Sequence, residues 1–257
     1  MSSNAESRVP AQTAHARSGH PTTLHTFTSV RVHVPHVPRR ERLPSAAESS
    51  DAPQPLRGLA ERSLDIVFAL GLAAVFSPVI LASIVALGLS NGPVIFKQSR
   101  LGRGGREFHV YKFRTMVPNA AEVLQQLLDK DPVVREEWER DFKLRNDPRV
   151  TATGRFLRKT SLDELPQLWN ILKGDMSLVG PRPIEPFEIV KYGRFAKHYY
   201  ALRPGLTGLW QVSGRSDTTY QRRVALDAFY AKNRSLGLNL SIILKTVRVV
   251  LKGSGAY

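Results

Sequence analysis

From Ile66 to Phe96 the chain runs for 31 residues without a Lys, Arg, Asp, Glu or His. No other feature restricts the fold as much. A helix needs about 20 apolar residues to cross ~30 Å of hydrocarbon, whereas a helix buried in a soluble core is seldom apolar on every side for so many turns. The run therefore predicts membrane insertion. Its middle carries Ser77-Pro78, and a proline inside a helix removes one backbone hydrogen bond and clashes with the preceding turn. The halves 66–77 and 78–89 each reach only about 18 Å at 1.5 Å per residue. Neither spans alone, although a kinked whole is long enough. Lys97, Arg100, Arg103, Arg106, Lys112 and Arg114 follow the segment closely, against Arg57 and Arg62 before it. The heavier basic flank is expected in the cytoplasm. The count leaves open whether the N-terminal part lies outside or returns to the same side.

The residue inventory narrows the chemistry. The formal net charge is +15 and there is no cysteine. That excludes a disulfide framework, thiolate zinc sites and a cysteine nucleophile. Five of the seven histidines (His15, His20, His25, His33 and His36) lie in the first 55 residues, leaving only His109 and His198 beyond. A histidine-rich metal centre in the folded part is not expected, so the chemistry must rest on carboxylates, Arg and Lys. Residues 1 to about 55 contain 7 of the 17 prolines and no lysine, and they read as a disordered tail. No early apolar block marks a signal peptide. Residues 1–65 carry eight basic and six acidic groups, so the remaining 29 basic and 16 acidic groups give residues 66–257 a net +13. The body needs an acidic partner: nucleic acid, an anionic membrane surface or a phosphorylated substrate.

After the apolar run, VIFKQ, a glycine cluster (Gly102, Gly104, Gly105) and FHVYKF predict strand, turn and strand. Asn119 and Glu122 resemble a capping box opening a helix to about Lys130. Asp131-Pro132 starts another, which stops before Asn146-Asp147-Pro148. A third helix is predicted from Ser161 to near Gly174, then a short strand MSLV, and helices over 220–233 and 240–251. In the last helix Lys245, Arg248 and Lys252 share a face beside apolar Ile242, Ile243, Val247, Val249, Val250 and Leu251. This suits either an anionic membrane surface or an ordinary surface helix packed on the core.

The candidate centre is KTSLDELPQLWNILKGDMSLVGPRP. Asp163 and Glu164 fall in the first turn of the predicted helix, where the dipole favours negative charge. Taken alone, Ser161 with Glu164 reads as a capping box. The surroundings point further: Arg155, Arg158, Lys159 and Arg182 are close in sequence, and a helix N-terminus also binds phosphate. Two carboxylates among phosphate-binding cations suit magnesium-assisted phosphoryl transfer. One carboxylate can hold the metal and the other can attack phosphorus. Arg182, between two prolines, is presented from a stiff loop and suits bidentate phosphate contacts. Lys112 and Arg114 could face phosphate or lipid headgroups, or simply form a solvated strand face. RPGLTGLWQVSGR, with Arg203, Arg215 and Trp210, is a glycine-rich loop that could embrace a nucleotide or lie at the membrane interface.

Three ordered stretches, PVIFKQSRLGRGGREFHVYKFRTM, TSLDELPQLWNILKGDMSLVGPRP and RPGLTGLWQVSGR, with LDAFY further on, resemble the bacterial sugar transferases. These are the polyprenyl-phosphate hexose-1-phosphate transferases, or monotopic phosphoglycosyl transferases. The similarity runs from residue 59 to 257. It implies transfer of a hexose-1-phosphate from a UDP-sugar to undecaprenyl phosphate, with release of UMP, at the start of exopolysaccharide or other surface glycan synthesis. By the same resemblance Asp163 is the nucleophile of a phosphosugar-aspartyl intermediate, Glu164 is the Mg2+-associated acid and Arg182 contacts phosphate. Lys112, Arg114, Arg158, Arg203 and Arg215 are carried as further substrate-phosphate candidates. Ser77-Pro78 matches the break of a re-entrant membrane helix, with both ends cytosolic. The C-terminal half is most similar to exopolysaccharide-type members, which use galactose or glucose.

The expected architecture is α+β: a mostly helical, membrane-associated domain with a short β element, one re-entrant helix and interfacial amphipathic helices. Its parts are a tail at 1–58, a membrane-inserted segment at 59–96 and a catalytic domain at 97–257. The expected location is the cytoplasmic face of a bacterial inner membrane. The expected partners are UDP-sugar, polyprenyl phosphate and membrane lipids, with room for a homodimer and no nucleic acid. The alternative is a membrane-tethered basic protein that holds nucleic acid or an anionic polymer through the Arg-rich stretch after Phe96. Few aromatics interleave with those cations, so base stacking has little support.

Overall fold

The structure is a computed structural model that describes residues 55–252, apart from 142, 143, 145 and 215–217. The expectations for the tail before residue 55, and for Arg215, lie outside the described residues. Helices and short strands combine in an α+β arrangement.

The apolar run folds as two helices, α1 (Pro55–Val75) and α2 (Ser77–Gly88), bent by 63° at their junction. Among the described residues no single helix is long and apolar enough to cross a membrane, but the two halves of this bent pair are together, by length and composition. The break has a local cause. Pro78 has no N–H to give the Ala74 carbonyl four residues back. Ser77 Oγ donates to that oxygen instead, at 2.8 Å. The start of α1 is polar and tied to the body: Arg62 donates to the carbonyls of Ile171 and Leu172 at 2.6 and 2.9 Å. Asp65 accepts from the Ser177 hydroxyl and the Leu178 amide at 3.0 and 2.9 Å. Beyond Ala69, which is buried, Leu70 and Val75 are exposed, as are Leu81, Ile84 and Val85 on α2 and Leu89 just after it.

Strands β1 (Ile95–Leu101) and β2 (Glu107–Phe113) form the expected antiparallel hairpin, with Phe96 opposite Lys112 and Arg100 opposite Phe108. Side chains alternate across a strand, so Arg100, Gln98, Val110 and Lys112 share one face. Helices α3 (Ala120–Lys130) and α4 (Pro132–Asp141) follow as predicted. The Asn119 side chain makes no cap hydrogen bond. Helix α5 (Ala152–Thr160) is a short basic helix that the sequence pattern did not reveal; Thr151 caps it by accepting from the Gly154 amide. A methyl on Gly154 would lie 2.0 Å from the Thr115 carbonyl oxygen, so only glycine lets α5 sit this close to the segment after β2.

The predicted helix from Ser161 is instead a 3-10 turn, Leu162–Glu164, followed by α6 (Gln167–Lys173). Strand β3 (Ser177–Val179) pairs in parallel with β4 (Gly205–Thr207), inside what reads in sequence as a glycine-rich loop. Between them lie a 3-10 segment, Pro186–Phe195, and α7 (Ala196–Tyr200). Helix α8 spans Tyr220–Asn233 as predicted, and α9 (Leu236–Lys252) starts a turn earlier than expected. The main core gathers Val110, Leu168, Ile171, Tyr230 and Ile242 from β2, α6, α8 and α9, with Met176 from the loop before β3.

Candidate active site

Asp163 and Glu164 do not sit in a capping box. Ser161 is the one described non-glycine residue with positive φ (58°) and it ends α5; its side chain caps nothing. The left-handed residue reverses the chain, so the next turn projects its carboxylates toward β2. Glu164 meets Lys112 Nζ at 2.7 Å, with both side chains a quarter exposed. The reading of Glu164 as a cap partner is thereby corrected: its charge serves the β2 lysine, not the helix start.

Asp163 is buried. Burial, and then the neighbouring charge of Glu164, push its carboxyl up to about 6, against the opposing pull of Lys112 and Arg158. Arg158 is held to the same region by donating from Nε to Thr115 Oγ1 at 2.9 Å. Two acids side by side in a half-dry site are short of positive charge, since like charges this close disfavour joint ionisation.

The frame behind them is rigid. Asn170, fully buried on α6, accepts from the Tyr111 amide at 3.1 Å and donates to the His109 carbonyl at 2.7 Å. It locks α6 to the strand that carries Lys112. Gly180 and Gly205 let β3 and β4 cross closely: a methyl on Gly205 would fall 2.1 Å from the Gly180 nitrogen. That crossing delivers Pro181-Arg182-Pro183 to the mouth of a shallow cleft, lined by Arg100, Lys112, Glu164, Gln167, Arg182 and Gln211. Glu185 holds Arg100 at 3.1 Å. Arg182, half-buried, makes no hydrogen bond or ion pair among the described residues. Gln211 Oε1 is buried without a hydrogen-bond partner. The cleft thus offers an unpaired guanidinium, a spare amide oxygen and the Glu164 carboxylate, with Asp163 next to it in the chain.

A family profile described as bacterial sugar transferase matches residues 56–253. The chain belongs to the bacterial sugar transferase family. It is 52% identical over 197 residues to an undecaprenyl-phosphate galactose phosphotransferase of Salmonella typhimurium, covering 77% of this chain and 41% of that protein. It is 50% identical over 197 residues to a UDP-galactose-lipid carrier transferase of Erwinia amylovora, covering 77% and 41%. It is also 45% identical over 211 residues to the exopolysaccharide production protein ExoY of Rhizobium meliloti, covering 82% of this chain and 93% of that protein. This chain thus spans about two-fifths of the length of the first two relatives.

In this member of the family the sequence-predicted residues are only partly brought together. Lys112, Arg158, Asp163, Glu164 and Arg182 converge, through the contacts and the cleft described above. Arg114 does not join them. It is buried, and its guanidinium donates to the Asn91 carbonyl at 2.6 Å and to Ser90 Oγ, closing the end of α2. These bonds tie the Arg114 guanidinium to the end of α2 rather than to the carboxylate pair. Arg203 lines a different cavity. Three polar residues of the cleft, Arg100, Gln167 and Gln211, are absent from the sequence reading of the site. Arg100 was counted only as membrane-flanking charge, although its two-residue alternation with Gln98 on the Lys112 face was a usable signal. Gln211 was hidden in the glycine-rich loop.

Proposed function

We propose that this protein transfers a hexose-1-phosphate, with galactose the favoured sugar, from a UDP-sugar to undecaprenyl phosphate, releasing UMP through a phosphosugar-aspartyl intermediate. The observation that carries the proposal is the buried Asp163 carboxylate beside Glu164, Lys112 and the unpaired Arg182. The names of the relatives support the substrate class.

Lys112 and Arg182 bind and orient the diphosphate, exchanging solvent for charge-assisted hydrogen bonds. Asp163, ionised, attacks the phosphorus that bears the sugar. An Asp163 Oδ–P bond forms and the P–O bond to UMP breaks, UMP leaving with the electron pair. A lipid phosphate oxygen then attacks the same phosphorus and releases Asp163. Burial of Asp163 keeps water from competing for the intermediate. Gln211 Oε1 is placed to accept a hydrogen bond from the donor substrate.

The donor set fits Mg2+. One or two carboxylates plus substrate phosphates are its usual protein environment, and the surplus negative charge of Asp163 and Glu164 is what a cation would relieve. Among the described residues no three acidic or histidine side chains converge as a complete cage, so Glu164, with Asp163 adjacent, would share the ion with the diphosphate. When bound, Mg2+ supplies neutralisation of the diphosphate charge.

The exposed apolar faces of α1 and α2 favour insertion as a bent, re-entrant pair. On α9, Leu236, Leu240, Leu244, Val247 and Leu251 form an exposed stripe opposite the buried Ile242, flanked by exposed Lys245 and Arg248. One face of this helix packs on the core through Ile242, and the apolar stripe on the other supports the reading that it lies on a bilayer surface. On this reading the catalytic cleft works at the cytoplasmic face of the inner membrane. Nothing favours the nucleic-acid alternative: in the basic stretch Arg100 is ion-paired and Arg114 closes a helix.

The test is an assay of membranes with UDP-galactose and undecaprenyl phosphate, reading UMP and lipid-linked sugar. Wild type should form both and Asp163→Asn neither; parental rates in Asp163→Asn would remove the nucleophile.

A further inference from the structure

A second cavity, of about 310 Å³, shares no lining residue with the catalytic cleft. One wall is apolar: Leu64 and Phe68 from α1, Leu178 from β3, and Leu240 and Ile243 from α9. The other wall carries Arg103, Arg203 and Arg234. Burial and the charges of Arg203 and Arg234 hold the Arg103 guanidinium below its ordinary value, which reports cations crowded together. The acids at the rim are already engaged. Glu61 pairs with Arg234 at 3.5 Å, and Asp65 accepts from Ser177 and Leu178. Neither the Arg103 nor the Arg203 guanidinium makes a hydrogen bond or ion pair among the described residues. Three arginines against the carboxylates of Glu61 and Asp65, the latter feeling the charge of Arg203, leave the lining with a positive excess beside a hydrocarbon-lined hollow.

We infer that this cavity binds an anionic membrane lipid, its phosphate between Arg103 and Arg203 and its first methylenes against Phe68, Leu240 and Ile243. Position decides for a lipid over a soluble phosphate compound. The cavity opens between α1 and α9, whose exposed residues Val67, Phe68, Leu236 and Leu240 are apolar, so a ligand arriving from a bilayer reaches it along its own hydrocarbon. A nucleotide would find little to recognise. The one aromatic hydroxyl there, of Tyr230, is taken up by the Val179 carbonyl at 3.2 Å and Asn239 Oδ1 at 2.8 Å. Arg203, carried from the sequence as a substrate-phosphate candidate, finds its anion here. A lipid so held would fasten α1 to α9 and to the Gly102–Gly105 turn, setting the depth at which the body sits on the membrane. The inference rests on the membrane contact proposed above, and not on the transfer chemistry.

The experiment uses the full chain in nanodiscs of equal parts phosphatidylcholine and phosphatidylglycerol, released into native mass spectrometry. Flotation with phosphatidylcholine vesicles is measured in parallel, so that loss of membrane contact is seen separately. Wild type should keep phosphatidylglycerol in preference to phosphatidylcholine. Arg103→Glu, at an exposed position, and Arg203→Gln should each lower that retention by about tenfold or more while still floating. Arg103→Lys should keep most of it, and Asp163→Asn should keep all of it. Equal retention by Arg103→Glu, or no preference for phosphatidylglycerol, would overturn the lipid site. Displacement of the lipid by millimolar inorganic phosphate or UDP would also overturn it, in favour of a soluble-anion pocket. Loss in Asp163→Asn would do so too, by placing the retained lipid in the catalytic cleft.

Discussion

Asn170 shows how much of the active site hangs on one uncharged side chain. Its amide serves two backbone groups of β2 at once, and a buried polar group left without a partner costs about 1–3 kcal/mol. Asn170→Leu should destabilise the fold by about 2–4 kcal/mol, measured by denaturant unfolding, and lower turnover by more than the loss of folded protein explains. Asp227 has a different kind of sensitivity. Burial raises its carboxyl to about 7, against the hydrogen bond from the Tyr192 hydroxyl at 2.7 Å and the charge of Arg223. A carboxyl whose folded-state value lies above its unfolded value of 3.8 contributes stability that is complete below that value and is lost as pH rises. The melting temperature should therefore fall from about pH 4 to about pH 7 on account of this group. Asp227→Asn, which keeps an acceptor for Tyr192, should flatten that part of the profile. A slope unchanged in Asp227→Asn would assign the pH dependence to other groups.

At the level of elements, legibility followed periodicity and length. Helix α8 and the β1–β2 hairpin could be read from the sequence because their apolar pattern repeats over several turns or alternations. Strand β4 could not, because three residues beside a close glycine crossing carry no period of their own. The turn bearing Asp163 was misread for a physical reason. Ser161 adopts the left-handed region that side chains disfavour, so a sequence that looked like a helix start is a reversal between two helices. The carboxylate pair, Lys112 and Arg182 were nonetheless legible as chemistry, whereas Arg100 and Gln211 entered the site only through strand register and loop closure. The α1–α2 break was visible as Ser77-Pro78, and the hydroxyl that takes up the Ala74 carbonyl gives it a mechanism. Pro78→Ala should straighten the pair toward a spanning helix. In a chain without native cysteine, Ser45→Cys should resist an impermeant thiol reagent applied to intact cells. Adding Pro78→Ala should raise its labelling several-fold. Ready labelling of Ser45→Cys alone would mean a full span from the outset.

On the scale of the whole molecule, the charge and the apolar surface have separate addresses. The apolar faces of α1, α2 and α9 suit a bilayer; the net +13 of residues 66–257 lies in the same body as the carboxylate pair. Arg182 and Lys112 face the catalytic cleft, while Arg103 and Arg203 face the second cavity. The molecule thus presents cations at two points where phosphates are expected, one for reaction and one for attachment. The central claim is covalent transfer through Asp163, and rapid acid quenching followed by intact-protein mass spectrometry tests it most directly. Purified protein mixed with Mg2+ and UDP-galactose, without lipid acceptor, should gain the mass of one hexose phosphate. It should release an equal amount of UMP in the first turnover, and Asp163→Asn should do neither. UMP release that waits for undecaprenyl phosphate, with no adduct on the wild-type chain, would contradict the claim and indicate direct displacement by the lipid phosphate.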